Sequence, residues 1–148
     1  MRFSEKLIIS ILSTLIFSFF LAFIAYIPKS EQYPNVGYSS LHGLFIVYCI
    51  YTFPIYLIGG IPYSYLADFY FDKIRFHNNF SNYINGILVY LAGGLLIVGI
   101  YLVGELLITG NIAGIIMFNF IGISVFASLL FYHMSLVWKK INALQSKR

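Results

Sequence analysis

The chain has 148 residues, of which 60% are hydrophobic and only 9% are charged, and its net charge is +4. A typical globular domain is about 45–50% apolar and about 25% charged. So few charges cannot cover the surface of a water-soluble fold. The composition therefore excludes a soluble globular domain and indicates that lipid surrounds most of the chain.

Four apolar segments are long enough to cross a bilayer, whose hydrocarbon core of about 30 Å needs about 20 helical residues. They are continuously apolar rather than alternating, which favours helices over the strands of a barrel. The sequence predicts an all-α integral membrane four-helix bundle, forming a single membrane domain over residues 1–148. The predicted spans are residues 7–27, 41–61, 83–107 and 112–138.

The first span carries small polar residues at every fourth position, namely Ser10, Thr14 and Ser18. Residues four apart share one helix face, and small or hydroxylated side chains let membrane helices approach closely. This stripe predicts a helix-packing surface. The span begins with basic residues, like a signal peptide, but its 21 apolar residues exceed the usual 7–15, and no A-x-A site follows. We expect an uncleaved helix.

The second span ends in the segment PIYLIGGIPYSYLAD, in which Pro54 predicts a kink. Gly59 and Gly60 mark either a break built around a transport site or the exit from the membrane. Their position about 20 residues into the span favours the exit, because transport sites lie near the midplane. The amphipathic residues 62–76 then predict a short interfacial helix in a central cytoplasmic loop.

The third and fourth spans contain glycines that predict further packing surfaces. A homodimer through one of these surfaces is the sharper alternative. Thr109-Gly110-Asn111 is a short turn signal, so these two helices should form an antiparallel hairpin. The predicted packing glycines are Gly86, Gly93, Gly110, Gly114 and Gly122.

The cations of the loops predict the orientation of the chain. Cytoplasmic loops of membrane proteins carry an excess of Lys and Arg. Lys29 alone falls on one predicted side, and the other eight fall on the opposite side. Both termini and the central loop are therefore expected in the cytoplasm. Those eight residues are Arg2, Lys6, Lys73, Arg75, Lys139, Lys140, Lys147 and Arg148.

Three carboxylates are the candidate functional residues. Glu105 lies inside the third predicted span, where an ionisable group is costly and is a functional candidate by default. It is either an interfacial carboxylate or a proton-coupled or ligand-binding group. Asp68 and Asp72 could bind a cation or act as a carboxylate pair. The adjacent Lys73 and Arg75 favour a solvated ion-pair cluster instead.

Other chemistry has little support in the sequence. The three histidines are scattered and Cys49 is the single cysteine, so no metal site and no cofactor are predicted. Motifs of hydrolases and phosphate-binding loops are absent, and no catalytic residue is assigned. Each tyrosine hydroxyl within a span needs a partner or a route to water. These tyrosines are Tyr48, Tyr51, Tyr56, Tyr90, Tyr101 and Tyr132.

A second span that ends in GGIPYSYLAD before a polar inner loop resembles uncharacterised small four-span membrane proteins of Bacillus-type bacteria. The resemblance covers the layout of the spans and a Gly-Ile-Pro-x-Ser segment. It implies no activity and no functional residue.

These features predict a non-enzymatic, multi-pass protein of the cell membrane. We expect an accessory, regulatory or immunity-type protein that acts through helix contacts. The alternative is a small oligomeric transporter or channel that uses Glu105. Its partners would be the lipid bilayer and either another membrane protein or further copies of itself, with no role for nucleic acid.

Overall fold

The computed structural model describes residues 2–73, 78–110 and 114–145, except for the side chains of residues 79, 109 and 114–119. Helices make up almost all of these residues, and no strand occurs among them. The elements are α1 (Phe3–Ala25), a short 3-10 turn (Lys29–Glu31), α2 (Leu41–Ile55), a π-helical turn (Tyr56–Gly60), α3 (Ile61–Lys73), α4 (Asn79–Thr109) and α5 (Gly114–Gln145).

Four helical segments are long and apolar enough to cross a membrane, judged by length and composition. The predicted all-helical fold with four long apolar helices is confirmed, and it fits a multi-pass membrane protein. These segments are Phe3–Glu31, Leu41–Lys73, Phe80–Ile108 and Phe120–Gln145.

Local sequence signals set several helix ends. The Ser40 side chain accepts a hydrogen bond from the Gly43 amide at 3.1 Å and caps α2, as Ser at this position commonly does. The Asn78 side chain caps α4 in the same way. Gly110 closes α4 in the left-handed conformation, with φ of 68°, which glycine adopts without steric cost. The turn predicted at Thr109-Gly110-Asn111 thus begins as expected, whereas Asn111 lies outside the described residues.

The helices pack as two compact units, Met1–Ile61 and Pro62–Arg148. In the first unit α1 packs on α2 and on the π turn. Residues near the start of α1 meet the end of α2, so the two helices are antiparallel. In the second unit α4 and α5 form the predicted antiparallel hairpin.

The segment around the two glycines remains helical. Ile55, Tyr56 and Ile61 all have right-handed helical dihedral angles. Pro54 lies inside α2, and Pro62 is the second residue of α3. A widened π turn therefore joins α2 to α3, and α3 extends to Lys73. The interfacial orientation of this helix stays a prediction, and its last predicted residues, 74–76, lie outside the described residues.

Candidate functional site

The stripe of small polar residues on α1 lies in the contact with α2. The Ser18 hydroxyl is 2.7 Å from the Thr52 hydroxyl, and both side chains are buried. Thr14 donates to the Ser10 carbonyl oxygen of its own helix at 2.8 Å. The hydroxyls therefore bond to each other or to a backbone carbonyl oxygen at the contact of α1 with α2. The Ser18 hydroxyl is used in this packing and is not available to a ligand.

Ser10, a residue of the same stripe, also contacts the π turn. The Tyr56 carbonyl oxygen accepts from the Ile61 amide, the five-residue spacing of a π turn, and the Ser10 hydroxyl lies 3.4 Å from it. The Tyr56 ring packs edge-on against Phe17 of α1, with centroids 6.1 Å apart. Such π turns occur mostly as single insertions into α-helices. This one places a buried aromatic side chain against α1.

The predicted glycines differ in what surrounds them. A Cβ added at Gly86 would overlap the Tyr132 hydroxyl, and one at Gly93 would meet the Tyr63 ring. A tyrosine ring therefore packs directly against each of these two glycines. Among the described residues, a Cβ at Gly104 or Gly122 would meet nothing within 4 Å. Gly110 caps α4, and the surroundings of Gly114, the first residue of α5, lie outside what the structure describes.

Gly94 lies where the α5 backbone comes close to α4, and sequence reasoning missed it. A Cβ there would lie 3.0 Å from both the Ser124 carbonyl oxygen and the Val125 Cα. The Ser124 hydroxyl donates to the Gly94 carbonyl oxygen at 2.8 Å. The two adjacent glycines, Gly93 and Gly94, were the available signal in the sequence. In the structure Gly94 faces the α5 backbone, whereas Gly93 faces the Tyr63 ring.

A cluster of aromatic and imidazole rings joins α4 to α5. The Tyr132 hydroxyl donates to the Tyr83 carbonyl oxygen at 3.2 Å. The rings of Tyr90 and Tyr132 are 5.0 Å apart, and Tyr83 packs against His133. Aromatic pairs at this spacing contribute about 0.5–1.5 kcal/mol beyond their buried area. The abundance of tyrosine is the single feature of the sequence that pointed toward this cluster.

His133 is held in one tautomer by its neighbours. Its Nδ1 lies 2.8 Å from the Leu129 carbonyl oxygen, and its Nε2 lies 3.1 Å from the Tyr83 hydroxyl. A carbonyl oxygen can only accept, so Nδ1 carries the proton. In the neutral ring, Nε2 then accepts from Tyr83. Both ring nitrogens are thus used within the hairpin.

Asp68 is a candidate carboxylate that pairs with a cation on another helix. It lies 3.5 Å from the Lys139 ammonium of α5, and the side chains of Asp68 and Lys139 are 26% and 52% exposed. One turn earlier, the Tyr63 hydroxyl donates to the Val89 carbonyl oxygen of α4. The side chains of α3 therefore contact both helices of the hairpin, and Asp68 participates in that packing.

The other two candidate carboxylates lie apart from this contact. Asp72 is exposed near the end of α3, where the Lys73 ammonium stands 4.3 Å above the Phe69 ring. Glu105 is half-buried one turn before the end of α4. Tyr83 lies at the same end of the hairpin as Lys139, the partner of Asp68. Along α4, Tyr83 is 22 residues from Glu105, or about 33 Å. The structure therefore does not bring Glu105 and Asp68 into one site.

Lys6 was predicted to precede the first span on the cytoplasmic side, but the structure places it inside a helix. It belongs to α1 and is only 1% exposed. A buried ammonium is costly unless the surrounding groups compensate its charge. Lys6 is therefore part of the interior, and its contribution to orientation stays a prediction.

Among the described residues, no group of three His, Cys, Asp or Glu side chains could hold a metal ion. The chain matches no known protein-family model, and no curated protein or solved structure is significantly similar to it. The resemblance to small four-span proteins of Bacillus-type bacteria accordingly stays a prediction.

Proposed function

We propose that the chain is a multi-pass protein of a bacterial cell membrane that acts through helix contacts as an accessory, regulatory or immunity-type protein. The observation that carries this proposal is the use of the polar groups within the helices. The hydroxyls of Ser18, Thr52, Ser124 and Tyr132 all bond to neighbouring helices or to each other. Groups committed to packing support a binding role more than a catalytic one.

The proposed orientation has both termini and the chain between α3 and α4 in the cytoplasm. Eight of the nine Lys and Arg residues fall on that side, in agreement with the rule that cytoplasmic loops are basic. In this orientation α3 and the Asp68–Lys139 pair lie at the cytoplasmic membrane surface. The length supports this placement, because the 20 residues from Leu41 to Gly60 already span about 30 Å.

The accessory role is tested by isolating the tagged protein from its native membranes in a mild detergent. A stoichiometric membrane-protein partner is the expected result. Recovery of the chain without any partner, across several detergents and after cross-linking before solubilisation, would contradict this role.

A small transporter or channel is the second candidate, favoured by Glu105, a half-buried carboxylate within the apolar segment Phe80–Ile108. This role predicts that the protein conducts a proton- or cation-dependent flux in liposomes and that Glu105→Gln abolishes it. Glu31→Gln serves as the control, because Glu31 is an exposed carboxylate of the 3-10 turn that is not a candidate functional residue. The absence of a flux in the native protein would remove this candidate.

A further inference from the structure

Tyr63 of α3 places its hydroxyl in the backbone hydrogen-bond ladder of α4. The hydroxyl donates to the Val89 carbonyl oxygen and accepts from the Gly93 amide. In a regular α-helix these two backbone groups, four residues apart, bond to each other. A phenol hydroxyl both donates and accepts, so it can stand between them. One side chain of α3 therefore takes part in the backbone pairing of another helix of the same compact unit, Pro62–Arg148.

The insertion is possible because Gly93 has no side chain. A Cβ there would lie 2.5 Å from Cε1 and 2.6 Å from Cζ of the Tyr63 ring, well inside van der Waals contact. Tyr90, one turn earlier in α4, meets the same ring edge-on with centroids 5.8 Å apart. The surface of α4 at Tyr90 and Gly93 therefore forms a binding site for a phenol ring, and α3 supplies the phenol.

Withdrawal of Tyr63 allows α4 to close its own ladder again. The site lies within the apolar segment Phe80–Ile108, where an unpaired amide or carbonyl is costly. Once the phenol has left, the Gly93 amide can bond to the Val89 carbonyl oxygen as in a regular helix. Tyr63 itself follows a helix long enough to cross the bilayer, so its freed hydroxyl lies near a membrane surface and reaches water. Both arrangements therefore satisfy the same polar groups.

The ion pair between α3 and α5 is also easily broken. The Lys139 ammonium lies 3.5 Å from Asp68, and both side chains are partly exposed. Exposed ion pairs contribute little to stability and weaken as salt is added. Two of the contacts that attach α3 to the hairpin are thus a replaceable hydrogen bond and a weak charge pair, which are contacts suited to reversible attachment.

We propose that α3 is a reversible latch on the α4–α5 hairpin, and that Tyr63 is the side chain that engages and releases α4. In the docked state its hydroxyl stands between Val89 and Gly93. In the released state α4 forms a regular helix there, and α3 is free to bind elsewhere. Any ligand that binds α3 better in the released state shifts the balance toward release. The latch involves α3, α4 and α5 alone, so it does not depend on the proposed accessory role.

Hydrogen exchange of the purified protein in detergent micelles tests the latch through Tyr63→Phe, which keeps the ring and removes the hydroxyl. Loss of one interhelical hydrogen bond should raise the exchange rate of the α3 amides about 3- to 20-fold. The Gly93 amide should exchange no faster than in the native protein, because it then bonds to the Val89 carbonyl oxygen. Tyr70→Phe is the control, since Tyr70 is an exposed tyrosine of the same helix, and it should change neither rate.

Two outcomes of this comparison would overturn the latch. Faster exchange of the Gly93 amide together with the α3 amides would show that the hydroxyl is a fixed part of the α4 structure, which cannot close without it. Unchanged exchange of the α3 amides would show that the hydroxyl does not hold α3 on the hairpin.

Gly93→Ala tests the same site from the side of α4. The added Cβ overlaps the Tyr63 ring and should expel it, so the exchange of the α3 amides should rise at least as far as in Tyr63→Phe. Combining the two substitutions should add little, because each removes the same contact. Gly99→Ala is the matched control, since a Cβ there meets no described residue within 4 Å. Native exchange of α3 in Gly93→Ala, or full additivity of the two substitutions, would contradict the proposal.

Discussion

At the residue scale, close packing of the backbone is concentrated at a few glycines and hydroxyls. Membrane helices gain little from apolar burial against each other, because lipid is equally apolar. Gly94 allows α5 to approach the α4 backbone, and Ser124 adds a hydrogen bond at the same point. The stability of the hairpin should therefore depend on single atoms at this contact.

Gly94→Ala should destabilise the α4–α5 hairpin by about 1–3 kcal/mol, the usual cost of overpacking. The added Cβ would press on the backbone of α5 at Ser124 and Val125, which cannot rotate away. The free energy of unfolding in mixed micelles, measured by titration with a denaturing detergent, gives the cost. Gly99→Ala is the control, since a Cβ there meets no described residue within 4 Å. Equal effects of the two substitutions would show that the close approach is unimportant.

The Ser18–Thr52 hydrogen bond, at 2.7 Å, should couple α1 to α2 by about 0.6 kcal/mol and at most about 1.7. A double-mutant cycle with Ser18→Ala and Thr52→Val isolates this interaction, because both replacements keep the space nearly filled. The same unfolding titration supplies the four free energies. Strict additivity of the two single substitutions would mean that the hydroxyls do not stabilise each other.

At the element scale, hydropathy predicts the four apolar helices but not their ends. α4 begins at Asn79 and α5 ends at Gln145, beyond the apolar residues 83–107 and 112–138. A helix can continue into water after its apolar run has stopped, since its backbone hydrogen bonds are internal. The polar segment after Gly60 likewise continues as α3, because a π turn absorbs Gly59 and Gly60 without ending the helix.

The contact of α3 with α5 depends partly on the Asp68–Lys139 pair. Asp68→Asn should increase hydrogen exchange in α3, while its effect on global stability stays below about 1 kcal/mol, because the pair is partly exposed. The exchange of Tyr65–Phe71 amides, followed by mass spectrometry, measures this change. Asp72→Asn, at an exposed position of the same helix, is the control.

The charge-reversed double variant Asp68→Lys with Lys139→Asp sharpens this test. Restoring a pair of opposite charges should return the exchange of α3 toward that of the native protein. The same exchange rate in Asp68→Asn, in Asp72→Asn, in the charge-reversed variant and in the native chain would mean that the ion pair does not stabilise α3.

The contacts between particular side chains lay beyond the sequence for a physical reason. Ser10, Thr14 and Ser18 share a face by spacing alone, so the stripe could be predicted. Gly94 and the Tyr83–His133 contact depend on the depth and rotation of one helix against another. No local pattern sets those two quantities. Asp68 could be named as a candidate, but Lys139 lies 71 residues away and only the fold identifies it as the partner.

At the scale of the whole molecule, the proposal of a multi-pass membrane protein rests on charge and hydropathy. Four apolar helices fit a multi-pass protein, and cations concentrate in the segments predicted to be cytoplasmic. The two units, Met1–Ile61 and Pro62–Arg148, each contain an antiparallel helix pair held by hydroxyl contacts. The four-helix bundle and the single membrane domain stay predictions about how this chain is arranged in lipid.

The central claim is tested most directly by a topology map in intact cells, with reporter domains fused after residues 35, 78, 110 and 148. The account predicts that a reporter enzyme that works only in the cytoplasm is active after residues 78 and 148. A reporter enzyme that works only outside the cytoplasmic membrane should be active after residues 35 and 110. A reporter after residue 78 that is active outside, or reporters at all four sites that lie on the same side, would contradict four membrane crossings with both termini in the cytoplasm.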